Sequence, residues 1–522
     1  MSTMAYVLRA FTLLIFATLI LLAPGLATAQ TPQEQLTQIF QTLIQSQKDK
    51  AAADDAADMT FDGDVMVEPS GDFYAITLPH ITIKHQNGDV MDIGIISINA
   101  SASEQAGQWK MSVAVPSAMT MKDKDGQDIM RLMIGQQNTA GIWDEELKNF
   151  AKLEADYGDI RVESADPDYK LSLPALSIRH NFEKDANGLW SGPYSATAKD
   201  LTLRVKDDNT TISLKNIKMA LDLDRYDAKK TNALREKVSQ LRLNQEQMTP
   251  EDKIALINAV IDGALQSGNG FTNDYTLSGL RIQYDDKFGK KGDMSLEQAG
   301  FTLSLLGFLQ NNVTMGLRFH HQGFKIENQK AEYASFDPSN SNIELSLENL
   351  PIKDVINMSR NAIGAMIAQP QTAALAGMSV VMKIPVLLSQ AKTALTIKDS
   401  FVSSDDYKVT MNGQVIADMS AVNSATGTAH AEFQGLDKVL AKAQVLATDP
   451  DNQDADKFEK MRKNLEFLKT IGKVETGPDS QFVHIYDIIM NPAGQILING
   501  TDLKFLKQPA PAKKEDTKPA DD

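Results

Sequence analysis

The chain has 522 residues, no cysteine and a formal net charge of −16. That length exceeds what one ordinary core serves. The missing cysteine removes disulfides, thiolate nucleophiles and cysteine-ligated metals, and the negative surface argues against nucleic acid and anionic membranes as partners.

Residues 1–29 have the layout of a cleavable signal peptide. Met1 to Arg9 is a short basic region, Phe11 to Leu22 is apolar, and Ala27-Thr28-Ala29 is a small-x-small cleavage site. The apolar run is shorter than the roughly 20 residues a spanning helix needs, and retention as an anchor is the alternative. A long exported chain without disulfides is held by its core alone, which points to the periplasm of a Gram-negative bacterium.

Residues 30–57 predict an N-terminal helix, with Leu36, Ile39, Phe40, Leu43 and Ile44 at helical spacing. Residues 58–225 read as a duplicated β-meander. Tyr74 to His85 (YAITLPHITIKH) returns as Tyr169 to His180 (YKLSLPALSIRH) with the alternation of a half-buried strand. Turn chemistry surrounds both copies, at Pro69-Ser70-Gly71, Asn87-Gly88-Asp89, Asp123 to Gly126 and Asn187-Gly188. Trp143 to Leu153 reads as a short helix between the copies.

Residues 226–268 predict a helical insertion, in which Thr249 caps a helix that has Pro250 at its first position. Residues 269–345 continue the strands, and Tyr275 to Ile282 is a degraded third copy of the motif. Residues 346–507 read as an α+β region with its own repeat: Ile343 to Leu350 and Ala429 to Leu436 each run from strand into helix. Hairpins are expected at Tyr407 to Ile416, turning at Asn412-Gly413, and at Val483 to Ile498. Residues 508–522 form a tail of Pro, Lys, Asp and Glu, expected to be disordered. The expected fold is therefore α+β and β-dominated: extended, curved antiparallel sheets built from repeated meanders, with helical insertions packed on one face.

Candidate chemistry is sparse. His85 and His180 hold equivalent repeat positions and read as exposed strand ends before a turn. His320-His321 is a strand doublet whose side chains point to opposite faces and cannot share a metal. Asp123 to Asp128 and Asp449 to Asp456 have calcium-ligand composition without the spacing of a calcium loop, so a solvated turn and a helix start explain them better. Ser389-x-x-Lys392 matches a serine-lysine nucleophile spacing but lacks companion motifs. No catalytic, cofactor-binding or metal-ligating set is assigned, and the expected protein is not an enzyme.

Residues 362–388 are rich in Ala and Met and are interrupted by Pro370, Lys383 and Pro385. The plain reading is a pair of buried helices over a sheet. The functional reading is a pliable apolar wall or membrane-touching lid, lined by Met366, Ile367, Leu375, Met378, Val381, Met382 and Leu387.

The leader, the strands ending in Leu-Pro, the Gly-x-Trp turns, the late strand-to-helix unit and the closing GQILING hairpin together resemble a YdgA-like group of bacterial envelope proteins of unknown function. The long repeated meanders more loosely resemble AsmA-type envelope proteins, which implies a sheet able to shield lipid. The expected function is a non-enzymatic periplasmic protein that binds or shields a hydrophobic ligand or envelope lipid. The alternative is a scaffold whose sheet edges and acidic faces recognise another envelope protein. A hydrolase using Ser389 and Lys392 is a third reading and requires Lys392 to line a cleft.

Overall fold

The computed structural model describes residues 31–53, 57–164, 169–205, 209–243, 248–285, 291–327, 331–368, 371, 373–477 and 482–506. The expected signal peptide and C-terminal tail lie outside these residues. The protein is β-dominated, 54% strand and 26% helix, built on a large, long antiparallel meander sheet that is not closed. It divides into two compact units, Met1–Asn311 with Ile363–Pro370, and Asn312–Ala362 with Gln371–Asp522.

The first unit begins with helix Pro32–Ala53. Its start is fixed by a local exchange in which the Thr31 N–H donates to the Glu34 carboxylate at 2.8 Å and Thr31 Oγ1 accepts from the Glu34 N–H at 3.3 Å. Leu36, Phe40 and Leu43 recur at helical spacing and are buried almost completely. They enter the main core together with Ile76, Ile81, Met91, Ile98, Trp109, Leu132, Ile160, Leu173 and Ile178 from the strands. Burying one such side chain stabilises by roughly 1.5–3 kcal/mol, which is why this end of the sheet is the anchored one.

Seven long antiparallel strands follow, Asp128–Asp144, Asn149–Ser164, Tyr169–Asn181, Trp190–Val205, Thr210–Tyr226, Gly270–Asp285 and Lys291–Leu306, the first three of which carry Leu132, Ile160, Leu173 and Ile178 into that core. Each pairs with the next in chain order. The helices Ala228–Leu243 and Pro250–Gln266 interrupt them and pack on one another. The second helix starts where its sequence says it should: Thr249 Oγ1 accepts from the Asp252 N–H at 3.2 Å, and the Thr249 N–H donates back to the Asp252 carboxylate at 3.0 Å.

The second unit carries strands Val313–Gln322, Asn340–Leu350, Ala394–Ser403, Lys408–Ala417, Ala425–Gln434 and Phe482–Met490, again as antiparallel neighbours. Helices Leu436–Thr448 and Ala455–Ile471 cover one end through Leu436, Val439, Ala443 and Leu465, packed with Phe433 and Tyr486. Both expected strand-to-helix units are present, Asn340–Leu350 leading into Ile352–Ala368 and Ala425–Gln434 leading into Leu436–Thr448.

Three expectations are corrected. Trp143 to Leu153 is strand, turn and strand rather than helix: the Asp144 carboxylate accepts from the Glu146 and Leu147 N–H groups, both at 2.9 Å, and turns the chain back so that Phe150 lies opposite Trp143. The first copy of the repeat is broken at Leu78-Pro79 into Phe73–Thr77 and His80–His85, which pair with different strands, whereas the second copy is one strand. Asn412-Gly413 lies inside the continuous strand Lys408–Ala417, opposite a register shift in its neighbour. Gly413 is there because Ala429 on the neighbouring strand leaves no room for a Cβ, which would sit 2.7 Å from the Ala429 Cβ, and not because a turn needs it. Helix Ala373–Ala391 runs on through Lys383 and Pro385.

Candidate functional site

Alternation and register decide which residues share a face. Residues directly opposite on neighbouring strands point the same way, so one side of the sheet can be followed strand by strand. Ile178 lies opposite Ala196, which lies opposite Met219, then Tyr275, then Phe301. The parallel row runs from Leu171 through Leu203, Ile212 and Ile282 to Met294. The result is one apolar side across the first unit, carrying Leu221, Leu223, Phe271, Leu277, Leu280, Leu296, Leu303 and Leu305 as well.

The reverse side is polar over the same strands. Thr276 Oγ1 and Thr302 Oγ1 both donate to the Asp274 carboxylate, at 3.1 and 2.8 Å, and Arg281 pairs with Asp293.

A line of irregular register crosses all seven strands. The ladder skips Asp159 opposite Pro174, Asp200 opposite Lys215, and Gly279 opposite Glu297. Asp159, Asp200 and Gly279, on alternate strands, have φ of 52°, 56° and 63°. Each strand gains one residue there, so the apolar side stays apolar above and below the line. Pro174, in the second copy of the motif, lies on this line, where its missing N–H loses no ladder bond.

Only half of the apolar side is covered. The buried core ends with Ala198, and Leu201, Leu203 and Ile217 pack partly buried at its margin. Among the described residues of Gly270–Asp285 and Lys291–Leu306, Gly300 alone is buried. Tyr275 and Phe301, opposite one another, are 44% and 41% exposed. A sheet side with an apolar row open to water is the signature of a surface that receives something.

The residues expected to line an apolar wall lie elsewhere. Helix Ala373–Ala391 contacts strands Asn340–Leu350 and Lys408–Ala417 of its own unit. Leu375, Met378, Val381 and Met382 point outward with 60–73% of their surface exposed, and Met366, Ile367 and Leu387 are half-buried. The plain expectation of two buried helices is thus corrected for Ala373–Ala391, because its outer side is as apolar as its inner one.

The histidines also separate. His180 is not an exposed strand end. It is 7% exposed, stacked on Phe182 at 5.0 Å and tilted against Tyr194 at 6.0 Å. Burial pushes its pKa down to about 4, against the opposing pull of a hydrogen bond to the Phe150 backbone. Its repeat partner His85 is half-buried. His321 is held by Ser341 Oγ at 2.5 Å and the Pro338 carbonyl at 3.0 Å. The sequence missed His484, which is 1% exposed with neither ring nitrogen partnered among the described residues, and burial lowers its pKa. Alternation puts it on the same side of strand Phe482–Met490 as Tyr486 and Ile488, and that is the signal in the sequence for its burial.

Ser389 Oγ accepts from the Met419 N–H at 2.9 Å, and Lys392 is exposed in a left-handed turn with φ 53°. This geometry removes the serine-lysine dyad as a nucleophile. The aspartate runs are local caps: Asp123 accepts from the Asp125 and Gln127 N–H groups, and Asp449 from Asp451. No group of three or more potential ligands is gathered for a metal among the described residues. Likewise no described helix is long and apolar enough to cross a membrane.

No family model, curated protein or solved structure matches this chain.

Proposed function

We propose that the protein binds or shields acyl chains or another hydrophobic ligand on the apolar side of its first unit, without catalysing a reaction. The observation that carries this is the uncovered row across strands Gly270–Asp285 and Lys291–Leu306, centred on Tyr275 and Phe301. Its chemistry suits hydrocarbon: apart from Asn273 the row is apolar, and it holds no cation to recognise an anionic head group. A polar reverse side keeps such a sheet in water while the apolar side is occupied. The leader and the cysteine-free composition support a site of action in the bacterial envelope, as does the resemblance to envelope proteins.

A fluorescent fatty acid titrated into the purified protein tests the reading. Saturable enhancement is expected, and lipid is expected in the mass spectrum of the protein as isolated. A linear response with no co-purified lipid contradicts it. The scaffold alternative predicts instead an envelope protein that stays bound after delipidation.

A further inference from the structure

The exposed side of helix Ala373–Ala391 is the second apolar surface, and it belongs to the second unit. Leu375, Met378 and Met382 follow one another at i, i+3 and i+7, with Val381 and Val386 beside them, so they form a stripe on the solvent side. The inner side, through Val380, Ile384 and Leu388, is half-buried towards the sheet the helix contacts. A helix that is apolar all round belongs in a core or in lipid, and among the described residues this one contacts the sheet on one side only.

Charge identifies the occupant. From Asn361 to Met382 there is no ionisable residue, in a chain that is 23% charged, and the helix's one charge, Lys383, is exposed at the margin of the stripe. A second copy would bring one chain of net charge −16 against another. A protein partner is generally met by aromatic and arginine anchors, and the stripe has neither. Aliphatic and methionine side chains without fixed polar contacts fit hydrocarbon, which asks for no directional bonds.

We infer that this helix is the protein's seat on a bilayer of zwitterionic lipid, with Leu375, Met378, Val381 and Met382 sunk below the head groups and Lys383 at their level. The inference rests on the acyl-binding reading, to which it adds the place where chains are taken up or delivered.

The absence of cysteine makes the test direct. Met382→Cys in the full chain, labelled with an environment-sensitive fluorophore, is mixed with phosphatidylcholine vesicles, and Val422→Cys, 75% exposed in a turn, serves as the control site. The expected result is a blue shift at 382 but not at 422, with the apparent partition coefficient lowered at least tenfold by adding Met378→Asp. Because Met378 is 60% exposed, that variant retains its fold. No shift at 382, an equal shift at 422, or a vesicle-independent shift that grows with protein concentration overturns the inference, the last by showing a second copy in place of lipid. Fatty-acid titration of the Met378→Asp protein without vesicles keeps the two readings apart: binding there persists if only the bilayer seat is wrong.

Discussion

Replacing Tyr275 and Phe301 together by aspartate is expected to weaken fatty-acid binding about a hundredfold and to shift the thermal midpoint by only a few degrees. A hundredfold corresponds to about 2.7 kcal/mol, the scale of losing the burial of one large apolar side chain. Two carboxylates that an acyl chain would have to strip of water add to the loss. The fold tolerates the change because both positions are more than 40% exposed and contribute little to the core. Ser304→Asp, on the polar reverse side opposite Thr272, is the control and leaves affinity unchanged. Titration of the three proteins with one fluorescent fatty acid, alongside thermal unfolding, reads both quantities. Equal loss in the control, or no loss in the double variant, removes the binding face.

His180→Phe is expected to remove about 3 kcal/mol of pH dependence from the stability of the first unit. The folded state holds this histidine at about 4, against 6.5 for the unfolded chain. Between those values the unfolded state binds more protons, so stability rises with pH. It is complete above about 6.5, is lost as pH falls through the window, and is flat again below about 4. A difference of that width is worth about 3 kcal/mol by linkage. Phenylalanine preserves the stack on Phe182 and Tyr194 and does not titrate. His484, whose pKa is also lowered, and His430, raised through its hydrogen bond to Asp487, are common to both proteins and cancel in the comparison. Urea unfolding at pH 7 and pH 4.5 measures the effect, and parallel losses in the two proteins contradict it.

Period-two alternation was enough to read the strands from Tyr169 to His180 and from Tyr275 to Ile282, and the capping box at Thr249 announced its helix. What the sequence concealed was pairing. Nothing local tells whether Leu-Pro breaks a strand, as at Pro79, or rides a bulge line, as at Pro174, because the answer depends on whether neighbouring strands carry a compensating residue such as Asp159 or Asp200. Asn412-Gly413 misled for the same reason, since a glycine needed for close approach and one needed for a turn look alike.

The candidate site was half legible. One-sided apolar ribbons were visible in the sequence. The segment at 362–388 stands out in the sequence because it is dense in Met and Ala, whereas Tyr275 and Phe301 look like ordinary core residues. Only the register shows that they sit opposite one another beyond the end of the core.

A fatty acid carrying a photoreactive diazirine, irradiated on the protein and mapped residue by residue in the mass spectrometer, examines that face most directly. Adducts on Phe271, Tyr275, Leu277, Phe301 and Leu303, with none on their neighbours Thr272, Thr276 and Thr302, are the predicted result. Adducts spread evenly over both sides of these strands, or absent from them, would contradict it.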